Sequence, residues 1–185
     1  MKAKPFFLPW EGLDYGTSSP KVLILGESHY KREGSDQNTF TQGVIRSWAV
    51  GEHGTRKFFT TIAKVLSGNL DTFMLKSEKA EFWNSVAFYN YIQEVVGENP
   101  RDRPTDAMWE QAKQPFLQVI ESLSPDIVVI LGGHLSHYIS QIKDQCPTTY
   151  FCHWYHPSSF GHFKKHEARA AFDATIQEWL THQKR

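Results

Sequence analysis

Residues 21–30 read Lys-Val-Leu-Ile-Leu-Gly-Glu-Ser-His-Tyr, an apolar run that stops at a glycine and a polar cluster. A short apolar run bounded in this way predicts a strand that is buried on both faces, as in a parallel sheet. A second run, Asp126 to Leu131, repeats the pattern and ends at Gly132-Gly133. Weaker strands are predicted from Ser85 to Tyr91 and from Thr148 to His153. We therefore expect a central, mostly parallel sheet of four strands.

Helical patterns lie between and after these strands. Apolar residues recur at helical spacing in four segments: Phe58 to Leu66, a stretch capped by Thr105 or Asp106 and running through Leu123, Leu135 to Lys143, and Lys165 to His182. The last helix is predicted to turn five residues inward: Ala168, Phe172, Ile176, Trp179 and Leu180. Strands that alternate with helices favour an α/β fold, here a three-layer α/β/α sandwich. No linker divides the sequence, so residues 1–185 are predicted to form a single domain.

The composition limits the class of protein. The 20 basic and 20 acidic residues cancel, which argues against a protein that coats DNA by charge alone but leaves room for a local basic patch. No apolar run approaches the roughly 20 residues of a membrane span, and the first ten residues lack the apolar core of a signal peptide. We expect a cytoplasmic protein that does not bind membranes.

Cysteine usage excludes two kinds of metal centre. Cys146 and Cys152 are the only cysteines, too few for a four-thiolate zinc or iron–sulfur site. We expect two reduced thiols, although a disulfide between them stays open.

Polar clusters stand at the predicted carboxyl ends of the strands, where ligands bind in open parallel sheets. Glu27 follows the first strand, Gly133 and His134 follow the second, and His156 lies in a loop after the last strand. A carboxylate and a histidine on opposite walls of one cleft are suited to acid–base chemistry. An alternative is that Glu27 caps the segment that follows it.

The segment His156-Pro157-Ser158-Ser159 precedes the final helix. Its serines offer hydroxyl and backbone N–H groups to phosphate, and Lys164 and Lys165 add positive charge where the helix begins. The pattern predicts a phosphate-binding loop, and an ordinary cap and turn remains the alternative.

Two other chemistries fit these residues less well. Ser28 lies beside His29, but adjacent residues rarely orient a base onto a serine, and Tyr30 stands where a Gly-x-Ser-x-Gly elbow needs its second glycine. The histidines lack a metal-binding spacing with a partnering carboxylate, so we expect no metal site.

Taken in order, the motifs resemble those of the uracil-DNA glycosylase superfamily. The resemblance extends from Lys21 to about Phe172 and rests on short motifs. Lys21 to Tyr30 is similar to the first motif, a buried strand followed by Gly-Glu or Gly-Gln and the water-activating acid. Pro125 to Gly133 is similar to the Pro-x-hydrophobic-Leu-Gly segment, and His156-Pro157-Ser158 matches the second catalytic motif.

The resemblance implies a role for each site residue. Glu27 would position water and stabilise positive charge on the sugar, and His156 would stabilise the anionic leaving base. The base would stack on Phe40 and be read by Asn84 at the next strand. The remaining residues divide into a base-pocket wall, Ser28, His29 and Tyr30, and a DNA-contacting set, Gly133, His134, Pro157, Ser158, Ser159, Lys164 and Lys165. No cofactor and no metal are implied.

The function that follows is a monofunctional DNA glycosylase-like hydrolase. It would flip a nucleotide out of the stack and excise uracil or another modified base. Its partner would be DNA, and we expect a monomer. The chain carries Ser28-His29-Tyr30 where one family version has Ala-Pro-Gly, so the base itself stays open. Two alternatives remain: a non-catalytic nucleic-acid-binding protein of the same fold, and a small-ester hydrolase that uses Ser28.

Overall fold

The computed structural model describes residues 4–99 and 102–183, and its central feature is a five-stranded sheet. The strands are ordered β1-β3-β2-β4-β5. Four of them run parallel, and β1 pairs antiparallel with β3 at one edge. Their bounds are Trp10–Glu11 (β1), Val22–Gly26 (β2), Ala87–Asn90 (β3), Ile127–Leu131 (β4) and Tyr150–Trp154 (β5). The mostly parallel sheet is confirmed, and the extra strand is β1, whose two residues are too few to show a pattern.

Side chains of the central strands alternate between two hydrophobic clusters. In β2, Val22 and Ile24 pack into the cluster on one face of the sheet. Leu23 and Leu25 pack into the cluster on the other face. Because both faces are covered, the strand is apolar throughout rather than alternating with polar residues.

Six α-helices within the described residues form the outer layers. Their bounds are Phe40–Ile45 (α1), Lys57–Ser67 (α2), Lys76–Ser85 (α3), Asp106–Leu123 (α4), Gly133–Ser140 (α5) and Lys165–Gln183 (α6). Helices α1, α2, α3 and α6 contribute to the first cluster, and α4 and α5 to the second. This arrangement confirms the predicted three-layer sandwich.

The helix predictions were right where an apolar face is long. The cap of α4 is Thr105, whose Oγ1 accepts the Met108 N–H at 3.3 Å. The prediction that Leu180 faces inward was wrong, because this residue is 37% exposed. Helix α3 was not predicted because it is mostly polar and buries only Lys79 and Trp83.

The two cysteines lie on opposite sides of the sheet, since Cys152 belongs to the first cluster and Cys146 to the second. Both are free thiols, and burial raises the pKa of Cys152 to about 11. Among the described helices, none has the length and apolar character needed to cross a membrane.

Candidate active site

The candidate active site lies where the loops after β2 and β4 diverge. These strands are parallel neighbours, with Leu25 opposite Ile130. The connection from β2 to β3 contains α1, α2 and α3, which pack on one face, whereas β4 leads into α5 on the other. Loops that part in this way open a crevice at the carboxyl ends of the strands, which is the usual ligand site in such sheets.

Glu27 follows β2 directly at this crevice. Its side chain is 18% exposed, and its Oε1 lies 3.4 Å from Nη1 of Arg103. Its backbone carbonyl accepts the Ile92 N–H at 2.9 Å, so the segment after β2 is tied to the segment after β3. The result is a largely buried carboxylate at the carboxyl end of β2.

His156 comes from the loop after β5 and lies close to the end of β4. A Cβ placed on Gly132 would be 3.9 Å from the Cβ of His156. The imidazole stacks on Phe58, with ring centroids 5.2 Å apart and planes 23° apart. Its Nδ1 accepts the Ser158 N–H at 3.2 Å, which leaves the hydrogen of the neutral ring on Nε2.

The charge state of His156 follows from its surroundings. Desolvation of the ring lowers the pKa of His156, and the positive charge of Arg103 lowers it further. A neutral imidazole that donates from Nε2 is therefore the dominant form at neutral pH. Such a group can donate a hydrogen bond to an oxygen that gains negative charge.

Arg103 links the two predicted catalytic side chains and was missed from the sequence. It contacts Glu27 directly and acts electrostatically on His156. Its only sequence signal was its place in the long irregular segment between β3 and α4.

His29 is buried beneath the site and does not line an open pocket wall. Its Nε2 lies 2.8 Å from Thr41 Oγ1, and the Nδ2 of Asn90 lies 3.2 Å from its Nδ1. The ring also meets Phe7 and Phe40 edge-on, each at 4.9 Å. Burial lowers the pKa of His29 to about 4. Its role in this structure is to support Phe40 and Asn90.

The expected position for the base-reading asparagine at the next strand is filled by Asn90. Asn84 lies in α3, before β3 begins, and its backbone carbonyl accepts the Asp14 N–H at 2.8 Å. That places Asn84 at the amino ends of the parallel strands, away from Glu27. Asn90 ends β3, and its Oδ1 would lie 2.2 Å from a Cβ on Gly26. Gly26 is therefore required for the Asn90 amide to fit.

The other residues of the first motif differ in their surroundings. Ser28 is half-buried, and its backbone carbonyl accepts from Nδ2 of Asn90 at 3.2 Å. Tyr30 is also half-buried. Because Thr41 and Asn90 occupy the ring nitrogens of His29, this histidine is not available to activate Ser28.

The loop after β5 projects aromatic side chains next to His156. The Ser159 N–H bonds the His156 carbonyl at 2.8 Å, and the Phe163 N–H bonds the Ser159 carbonyl at 3.1 Å. Between these turns the Phe160 side chain is fully exposed, and Tyr155 is 59% exposed. Pro157, Ser158 and Ser159 lie in the same loop. Large exposed aromatics beside a polar crevice indicate a contact surface.

The two predicted phosphate-binding lysines are already engaged. Lys165 Nζ donates to the Leu70 carbonyl at 2.7 Å and lies 3.3 Å from Asp71 Oδ1. Lys164 lies 3.3 Å from Glu167 and is more exposed. Lys165 therefore anchors the start of α6 to the loop after α2, and its charge is partly balanced.

Gly133 and His134 are exposed at the amino end of α5 beside the crevice. The His134 ring meets Trp109 edge-on at 5.5 Å. Among the described residues no three His, Cys, Asp or Glu side chains converge as a metal-binding set.

A carboxylate with an arginine beside it and a neutral imidazole thus lie at the same edge of the sheet, next to an exposed aromatic loop. A comparison with curated protein sequences finds no significant match. The family model of the uracil DNA glycosylase superfamily matches residues 13–180, nearly the whole chain. That span includes the four parallel strands β2 to β5 and all six α-helices except the last three residues of α6, and the chain belongs to the uracil DNA glycosylase superfamily.

Proposed function

We propose that this protein is a monofunctional DNA glycosylase that excises uracil or another modified base by cleaving its N-glycosidic bond. The observation that supports the proposal is that Glu27, directly after β2, and His156, beside Gly132 at the end of β4, lie at the carboxyl ends of neighbouring parallel strands. In this proposal the protein is a monomer and its substrate is DNA.

Cleavage of the N-glycosidic bond requires opposite charges to be stabilised on the sugar and on the base. As the bond to the base breaks, the sugar gains positive charge and the base gains negative charge. The carboxylate of Glu27 stabilises the sugar cation and orients the attacking water. The Nε2–H of neutral His156 donates to the oxygen of the departing base, and positioned donors of this kind contribute about 10²–10³ in rate.

Two residues are proposed to hold the flipped base. Phe40 is half-buried at the start of α1 and offers a ring for stacking. Asn90 takes the role that the sequence assigned to Asn84, because it stands at the end of β3 beside Gly26. Its Nδ2 is held by Ser28 and His29, so its Oδ1 is the atom offered to a ligand. An amide oxygen selects a base edge that carries a donor, such as an imide N–H or an amino group.

The exposed loop after β5 supplies the proposed grip on DNA. Phe160 is placed to wedge between bases, as apolar side chains do in proteins that unstack a duplex. The hydroxyl groups of Ser158 and Ser159, and the backbone N–H groups of the helix start at Gly133 and His134, are suited to phosphate oxygens. These proposed DNA contacts depend little on the net charge of the protein, which is zero.

The proposal is tested with duplex and single-stranded oligonucleotides that each carry one uracil, hypoxanthine, xanthine or oxidised base. Alkali converts any abasic site to a strand break, which is resolved by electrophoresis. The expected result is scission on at least one base by the native protein and its loss in Glu27→Gln, an isosteric change that removes the charge. Binding without scission on every base would instead favour a non-catalytic DNA-binding protein.

A further inference from the structure

Two backbone hydrogen bonds position the segment that precedes Arg103. The Val96 N–H donates to the His29 carbonyl at 3.0 Å, and the Lys31 N–H donates to the Gly97 carbonyl at 2.7 Å. These bonds lay the segment after β3 along the segment that follows Glu27. This backbone pairing brings Arg103 close enough to contact Glu27.

Two hydrogen bonds join Asn99 and Asp102, just before Arg103 in the chain. Asp102 Oδ2 accepts the Asn99 N–H at 2.9 Å, and the Asp102 N–H donates to the Asn99 carbonyl at 3.0 Å. A Cβ on Gly97 would lie 2.2 Å from Asp102 Oδ2, so only glycine allows this packing. On the other side the Thr105 cap begins α4. The backbone of Arg103 is thus held from both directions.

The guanidinium itself is open to exchange. The Arg103 side chain is 69% exposed, and its Nη1 lies 3.4 Å from Oε1 of Glu27. A guanidinium has five N–H donors in a planar fork that matches phosphate oxygens. Because the side chain is 69% exposed, most of this donor capacity is open to solvent.

We propose that Arg103 is a phosphate-binding residue that leaves Glu27 for a DNA phosphate when substrate enters. The inference rests on the proposed function, because it takes DNA as the ligand. Without DNA, Glu27 keeps a counter-ion. With DNA, the phosphate takes the arginine and the carboxylate is freed to face the sugar cation.

The exchange predicts a specific coupling between two side chains. If the resting ion pair competes with DNA, removing Glu27 leaves Arg103 free to bind phosphate. Because Arg103 is largely exposed, its ion pair with Glu27 is weak and reduces the fraction of protein with a free arginine only modestly. Glu27→Gln is therefore expected to tighten DNA binding about two- to sixfold. The gain requires Arg103 and disappears when Arg103 is replaced.

The test is a double-mutant cycle on DNA binding. Fluorescence anisotropy follows a labelled duplex with a stable abasic-site analogue, which needs no catalysis. The proteins are the native chain, Glu27→Gln, Arg103→Gln and the double variant, each at several salt concentrations. Arg103→Lys is the matched control that keeps the charge and loses the fork.

The expected result is tighter binding by Glu27→Gln only when Arg103 is present. Arg103→Gln should weaken binding and reduce the slope of log K against log salt by about 0.9, the loss of one phosphate contact. Equal tightening by Glu27→Gln in both backgrounds would mean simple charge repulsion and would overturn the exchange. So would an unchanged salt slope in Arg103→Gln. A native protein that does not bind the duplex would overturn the proposed function along with it, whereas normal binding with an additive cycle removes the Arg103 proposal alone.

Discussion

His29 is a buried imidazole that makes the folded protein sensitive to mild acid. The ring Nε2 lies 2.8 Å from Thr41 Oγ1, and the Asn90 Nδ2 lies 3.2 Å from both ring nitrogens. A doubly protonated ring has two N–H donors and no acceptor, so it could not accept a hydrogen bond from the Asn90 amide. Burial adds to this cost and lowers the pKa of His29 from 6.5 to about 4.

The size and sign of the effect follow from these two pKa values. Above pH 6.5 the ring is neutral in both the folded and unfolded states, so it contributes no pH dependence. Between pH 6.5 and about 4 the unfolded chain binds a proton that the folded chain does not, so stability falls as pH falls. At about 1.4 kcal/mol per pH unit, lowering the pH from 7 to 5 should cost roughly 2 kcal/mol from this group.

Urea unfolding at pH 7 and pH 5 measures this contribution. The variant His29→Asn is expected to be less stable at both pH values, because a cavity replaces the ring, but its loss of stability between them should be smaller than the native loss by about 2 kcal/mol. The control is His53→Asn, a substitution at an exposed histidine, which should keep the native pH dependence. If His29→Asn loses as much stability as the native protein, the reasoning about the buried ring is refuted.

Two further substitutions test the packing of the site and the exposed loop. Gly26→Ala should cost about 1–3 kcal/mol of unfolding free energy, because the new Cβ would lie 2.2 Å from Asn90 Oδ1; unchanged urea unfolding would contradict this fit. Phe160→Ser should leave unfolding unchanged, since the ring is fully exposed, yet weaken duplex binding by about 1–3 kcal/mol, the worth of one aromatic–base stack. Equal affinity of native and variant protein in an anisotropy titration would remove Phe160 from the DNA surface.

The parts of the fold that local patterns encode could be predicted from the sequence. Strands β2 and β4 are buried on both faces, so their apolar runs are continuous and end sharply at glycine. Glu27 follows β2 without a gap, which is why the carboxyl-end rule placed it at the crevice. Helix α3 gave no signal because it is mostly polar along its length.

The base-reading asparagine shows how a short motif can mislead. The strand was predicted from Ser85, but Ser85 ends α3 and the strand begins at Ala87. Asn84 therefore lies at the amino ends of the parallel strands, whereas Glu27 lies at their carboxyl ends. The rule that ligands lie at the carboxyl ends of strands would have selected Asn90, which was near the end of the same predicted strand.

Contacts between distant segments were beyond sequence patterns. Arg103 reaches Glu27 because backbone bonds pair residues 96 and 97 with residues 29 and 31. Phe58 reaches His156 from the first turn of α2, nearly 100 positions earlier in the chain. Neither contact has a periodicity or a motif, since each depends on how loops pack after the sheet has formed.

Glu27 and His156 are proposed to act together on one N-glycosidic bond. Single-turnover excision of the best base from the oligonucleotide panel tests it with Glu27→Gln, His156→Gln and the double variant. Each single change is expected to slow base release by about 10²–10⁴, and the double change by far less than the product of the two, as for groups that act as a unit. Base release at the native rate by either single variant would contradict this joint role of Glu27 and His156.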